Sequence, residues 1–126
     1  MSIPRLCAIL GFLLCTMEVR ADKPIIVKDS EAIQYVGKEV EVRGYVVSVT
    51  ISPLGTAFIN FGNEYPNQTF AGFIAAGSTI AGDQRISMIQ GKTISIVGVV
   101  EIRDGKPEIN IVSTDQIKGL DFEPAH

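Results

Sequence analysis

The chain has 126 residues, 46% of them apolar and 20% charged, with 11 Lys and Arg against 14 Asp and Glu and a net charge of −3. That length supports one domain with its own core, and the acidic balance excludes a protein that grips phosphate backbones through a uniformly basic surface. Both cysteines fall within the first 15 residues and the single histidine is the last residue, which leaves little for nucleophilic or metal chemistry.

The first segment has the three parts of a secretory signal peptide: a short start with Arg5, an uncharged apolar run over Leu6–Met17, and compact residues at Val19 and Ala21 before a cleavage point. The run of 12 is too short to span a bilayer comfortably. Leu14 stands before Cys15 where a lipidation signal needs a small residue. Cleavage after Ala21 is expected, with export to a bacterial periplasm or the medium. It removes Cys7, Cys15, Arg5, Arg20 and Glu18 and leaves 105 residues, 9 basic against 13 acidic, a net charge of −4. No stable membrane span remains.

A short helix is expected over 30–36, capped by Asp29 or Ser30, with Ile33 and Val36 on one face and Gly37 as its left-handed stop. A first strand follows over 38–50. Val40, Val42 and Val46 point one way and Glu39, Glu41, Arg43 and Tyr45 the other. Gly44 interrupts it and marks a bulge or bend. The stretch ISPLG is a loop. The second strand covers 56–61 and the third 69–75, joined by GNEYPNQ. A helix capped by Asp83 runs over 83–90, with Ile86 and Ile89 on one face and Gly91 as its stop. The fourth strand covers 92–103 and is broken by Gly98. Asp104-Gly105 is a two-residue hairpin signal. The fifth strand covers 106–112, with Pro107 at a strand end, edge or bulge. One more turn is expected over 113–120, then a frayed tail. The domain is placed at 22–118 and the tail at 119–126.

GKEVEVRG at 37–44 and GKTISIVG at 91–98 match at a constant offset of 54. The phosphate-loop reading fails, because GK lacks the upstream glycine and opens a strand rather than a helix. A duplication fails too, because FINFGNEYPNQTF has no partner after Gly98. The pattern that remains is one structural solution used twice: a helix stop, a strand with one apolar face, and a glycine where the strand turns. An all-β, five-stranded OB-fold follows, a Greek-key barrel with a short N-terminal helix and a helix between strands three and four.

YVGKEVEVRGYVVSV, GTAFINFGNEYPNQTFAGFI and GKTISIVGVVEIRDGKPEINI, followed by DQI, together resemble a family of small exported bacterial OB-fold domains described as nucleic-acid-binding or tRNA-anticodon-binding-like. The resemblance covers residues 30–118. It implies single-stranded nucleic acid, or a nucleotide-like oligomer, as partner. The chain departs from that pattern at Ala75, where an aromatic is usual, and at Arg103 and Asp104, where an aromatic and a lysine are usual.

No catalytic constellation is visible, so no enzyme activity and no cofactor are expected. Glu39 and Glu41 read as a solvated strand face. Calcium at Glu101, Asp104 and Glu108 suits the chemistry of carboxylates but follows no loop spacing; a metal-dependent nuclease is the weakest reading. The expected ligand surface lies across strands two and three and draws on Phe58, Asn60, Tyr65, Asn67 and Phe70, with Ser52 and Leu54 on one side and Arg103 and Lys106 on the other. In FINF the two phenylalanines have opposite parity. Phe61 shares the parity of Ile59 and belongs inside; Phe58 and Asn60 then face out, unless a bulge reverses them. Asn60, Asn63 and Asn67 also suit turns. Asn67-Gln68-Thr69 matches the N-glycosylation pattern. The alternative to nucleic acid is an envelope module for a protein or an oligosaccharide, which fits the net charge of −4 and the export signal.

Overall fold

The computed structural model describes residues 23–119. The expected leader, and the tail beyond residue 119, lie outside them. The elements in chain order are β1 (Ile26–Lys28), a 3-10 helix (Asp29–Tyr35), β2 (Glu39–Ile51), β3 (Ala57–Phe61), β4 (Phe70–Ile74), α1 (Gln84–Ser87), β5 (Thr93–Val99), β6 (Glu101–Arg103), β7 (Lys106–Asn110), a 3-10 turn (Thr114–Gln116) and β8 (Ile117–Lys118).

The two GK segments are neighbours. They open β2 and β5, which pair antiparallel with Val42 opposite Ile96. Those two residues are also equivalent in the repeat, so the copies meet about their own centre. The ends close in the same sense. Gly37 N–H donates to Val100 O, and Gly91 N–H donates to Val46 O, each at 2.8 Å. Val100 N–H donates to Lys38 O at 3.1 Å and Val46 N–H donates to Lys92 O at 2.9 Å. Gly37 and Gly91 have φ of +88° and +87°, a region that favours glycine and reverses the chain into each strand.

The strand order is β6-β7-β4-β3-β2-β5-β8, with β1 added parallel to β2. β4 and β7 are parallel and the other pairs in that order are antiparallel. The expected count of five strands becomes eight. β1 and β8 are additional, and the expected fourth strand divides at Val100 into β5 and β6. The hydrogen-bonded path is open, not a closed barrel. The covalent chain bridges the gap, because β5 lies against β2 and runs directly into β6 at the far edge. The result is an OB-fold-like, mostly β architecture around one core.

The interior holds Val40, Val42, Val46, Ile59, Phe61, Phe70, Ile74, Ile94, Ile96, Ile109 and Ile111. Alternation along β2 and β5 therefore falls as expected. The bend does not. The β2–β5 ladder runs unbroken through Gly44, and the irregularity in β2 lies between Val46 and Ser48. Gly44 serves a different purpose: a Cβ there would sit 2.6 Å from Asp29 Oδ1. Asp29 reaches across β2 and accepts a hydrogen bond from Thr69 Oγ1, tying the 3-10 helix to the β3–β4 connection. Asp29 is thus not the helix cap. The N-cap is Lys28, whose N–H donates to Glu31 Oε1 at 3.1 Å. Ile33 and Val36 are exposed, and Ala32 is the buried residue of that helix. α1 is one turn, shorter than expected, but Asp83 caps it through Arg85 N–H and Ile86 and Ile89 are buried. Asp104 and Gly105 have φ of +54° and +79°, as a tight hairpin turn requires.

Gly98 is filled from the core side, where a Cβ would meet Ile109 Cγ2 at 2.5 Å. Gly98→Ala is expected to lower the unfolding free energy by about 1–3 kcal/mol. Gly82→Ala, with no atom within 4 Å of the new carbon, is expected to stay within about 0.5 kcal/mol of the unaltered protein. Urea denaturation of the two variants measures the difference.

Candidate functional site

Side chains that face away from the core on β2, β3, β4 and β7 form two cross-strand rows. One row is Thr50, Phe58, Phe73 and Asn110; the other is Ser48, Asn60, Ala71 and Glu108, extended by Glu101 on β6. Ala71 is small, so the second row is hollow between Asn60 and Glu108. A cleft of about 420 Å³ opens there. Thr50, Phe58, Asn60 and Ala71 make its floor, Tyr65, Pro66 and Gln68 one wall, and the β6–β7 hairpin the other, with Arg103, Asp104, Lys106, Pro107 and Glu108.

Phe58 is half-buried, with its ring centroid 5.4 Å from that of Phe73. Asn60 faces the cleft as its parity predicts, yet it is only 1% exposed. Its Nδ2 donates to Ser48 Oγ at 3.2 Å and to Thr50 Oγ1 at 3.4 Å, which pins β3 to β2 and fixes the amide in the floor. Tyr65 is exposed at the rim. Lys106 reaches across the cleft, where Nζ donates to Gln68 O at 3.3 Å. Gln68 itself is buried, and its Oε1 has no hydrogen-bond partner among the described residues.

Arg103 organises the hairpin wall. Its Nε donates to Glu108 Oε1 at 2.7 Å, and its guanidinium carbon stands 4.4 Å over the Phe73 ring. The planar cation is held by a carboxylate on its edge and an aromatic ring on one face. Glu108 is 6% exposed. Burial pushes its pKa up, the hydrogen bond from Arg103 opposes that, and the neighbouring charges of Glu101 and Asp104 add to it. The same bond raises the pKa of Arg103, so the guanidinium stays charged.

Of the expected ligand residues, the cleft gathers Phe58, Asn60, Tyr65, Arg103 and Lys106. Asn67 is exposed on the connection but does not line it. Phe70 is a correction. It is fully buried, pairs with Phe61 in register, and packs its ring 5.2 Å from it inside the core. Phe73 is the aromatic of β4 that faces out. The parity rule that separates Phe58 from Phe61 also separates Phe70 from Phe73, and it held the missed signal. Leu54 is 85% exposed and Ser52 accepts from Thr56 N–H within its own loop; neither lines the cleft. Ala71, Thr50 and Gln68 carry no sequence signal for the cleft, and Glu108 reads there only as a candidate calcium ligand, because their approach depends on the parallel β4–β7 pairing and on the packing of the β3–β4 connection. Among the described residues no group of three or more His, Cys, Asp or Glu is placed to hold a metal ion, and Glu101, Asp104 and Glu108 do not form one. No helix among them is long and apolar enough to cross a membrane.

Glu108 also marks the pH profile. Its folded-state pKa lies above the usual 4.5, so its contribution to stability is greatest below that value and is lost as pH rises through the raised one. Glu108→Gln removes this titration. From about pH 4 to about pH 7 the variant is expected to gain stability relative to the unaltered protein. Urea midpoints of both proteins across that range measure it, and a constant difference between them would show that Glu108 titrates as it does in the unfolded chain.

No family model matches the chain, and no curated protein matches it in sequence. Solved structures do share its fold. A protein assigned as an aspartyl-tRNA synthetase from Leishmania major superposes with a TM-score of 0.51 at 11% identity, over 91% of this chain and 26% of that one. The aspartyl-tRNA synthetase of Entamoeba histolytica superposes with a TM-score of 0.50 at 15% identity, over 77% of this chain and 23% of that one. This chain therefore spans about a quarter of the length of either synthetase. An OBody bound to hen egg-white lysozyme superposes with a TM-score of 0.53 at 16% identity, over 79% of this chain and 94% of the OBody. At these identities the likeness is one of fold.

Proposed function

We propose that this chain is an exported, non-enzymatic OB-fold module that binds single-stranded nucleic acid or a nucleotide-like oligomer in the cleft between β3, β4 and the β6–β7 hairpin. The observation that carries this reading is the stack of Arg103 on Phe73 beside Phe58, at the edge of an amphipathic cleft with Lys106 on the same wall. Phe73 has one face covered by the guanidinium, which leaves the other face of that planar cation as a platform for a base. Phe58 offers a second π surface in the floor, and stacking on such surfaces tolerates any base. Lys106 supplies a cation for phosphate. The fold likeness to two tRNA synthetases agrees with this reading, and so does the sequence resemblance.

One observation favours the alternative, an envelope module for a protein or an oligosaccharide. Arg103 is already paired with Glu108, and the cleft's two cations face two carboxylates, Asp104 and Glu108. The formal charges of that lining sum to zero, which suits a neutral ligand better than a polyanion.

Fluorescence anisotropy with a labelled mixed-sequence single-stranded oligonucleotide separates the two. The proposal expects binding that weakens from about 50 mM to about 200 mM salt. It expects Phe58→Ala to lower affinity by about 1–3 kcal/mol and Arg103→Ala to lower it as well. Absence of binding at the lower salt would remove nucleic acid and leave the envelope partner.

A further inference from the structure

The outward residues of the other half of the sheet hold a second feature. Lys28 on β1 pairs with Arg43 on β2, Arg43 with Ser95 on β5, and Ser95 with Lys118 on β8. Directly paired residues share a face, so three cations stand in one row across four strands. With about 4.8 Å between neighbouring strands, the row is about 14 Å long. All three are exposed. None of them forms an ion pair among the described residues, where the two salt bridges involve Arg85 and Arg103. Glu41, in the adjoining row, contacts none of them through an ion pair. Arg43 lies along the row, its Nη1 donating to Ser95 Oγ at 3.1 Å, and the serine beneath is completely buried. In a chain with a net charge of −3, this concentrates positive charge on one strip of surface.

The strip is continuous with the cleft. β2 carries Arg43 in the row, then Tyr45 on the same face and 54% exposed. Past the irregularity between Val46 and Ser48, Ser48 and Thr50 take up that face, and Thr50 lines the cleft. The seven steps from Arg43 to Thr50 measure about 23 Å along the strand. We infer that the row of Lys28, Arg43 and Lys118 is a second contact for the same ligand: it holds the phosphate backbone of a single strand that leaves the cleft and passes over Tyr45. This rests on the cleft reading. Charge complementarity assigns the occupant, together with the outward face of β2, which carries Tyr45 on one side of the irregularity and Ser48 and Thr50 on the other. Phosphate contacts of this kind add affinity without base preference, and the strand length is compatible with OB-fold sites of about 4–16 nucleotides.

The test compares two labelled oligothymidylates, of about 4 and about 16 nucleotides, on the unaltered protein and on the triple variant Lys28→Gln, Arg43→Gln, Lys118→Gln. The longer strand is expected to bind the unaltered protein more tightly. In the triple variant its affinity at about 50 mM salt falls at least about tenfold, and the slope of log affinity against log salt shrinks by about 2, which is three single-strand contacts. The shorter strand, held by the cleft, changes less than about twofold and reports that the variant is folded. Tyr45→Ala is expected to weaken the longer strand alone. Equal affinity of the two lengths, or an unchanged salt slope in the triple variant, would overturn the second contact while the cleft reading stands. Failure of the unaltered protein to bind either strand would overturn both.

Discussion

The antiparallel pairing of β2 with β5 is the constraint on which the rest of the molecule depends. Two segments of similar sequence, 54 residues apart, meet about a local two-fold centred on Val42 and Ile96. Each brings a positive-φ glycine whose N–H closes on the far end of its partner. The four clasping bonds fix both the register and the length of the ladder. Once they are made, the apolar faces of both strands point to one side. β3 and β4 then extend the sheet from the second half of β2, and β6 extends it from the end of β5. The cleft lies where those extensions come together through β7.

Much of this is legible in the residues. Alternation in GKEVEVRG and GKTISIVG shows two half-buried strands, the glycine before each lysine shows a helix stop, and Asp104-Gly105 shows the hairpin. β1 and β8 are three and two residues long, too short to have a period. Gly44 was legible as a special position but not in its purpose. The side chain that fills it comes from Asp29, and only the folded chain brings them together. Phe70 and Phe73 show the limit of composition: both read as aromatic, but parity sends one to the core and one to the cleft. Glu108 reads in the sequence as one of three hairpin carboxylates with Glu101 and Asp104, but its burial does not. The antiparallel hairpin sets it diagonally across from Arg103, and the parallel register of β7 against β4 lays it beside Ala71, where it is buried while the other two stay exposed.

The cleft is chemically mixed because one arginine satisfies two demands. The Arg103 side chain covers an aromatic ring that would otherwise lie open, and its charge offsets a buried carboxylate. Removing water from that carboxylate is unfavourable, and a single charge-assisted hydrogen bond limits the effect without abolishing it. The wall is held at its base by Arg103 on Glu108 and Phe73, and charged at its rim. The row of Lys28, Arg43 and Lys118 is positive in a chain whose net charge is negative, although Glu39 and Glu41 share the outward face of β2 with it.

The long separation between the two halves of the clasp has a kinetic meaning. β3 and β4 are joined by a short connection and pair locally, and β6 and β7 are joined by two residues. β2 and β5 gain nothing until the whole intervening chain has been gathered, and the entropy of closing that loop must be met before the first rung forms. The encounter of two glycine-led strands therefore weighs on the rate at which this domain reaches its native state, whereas the β3–β4 and β6–β7 pairs close much shorter loops.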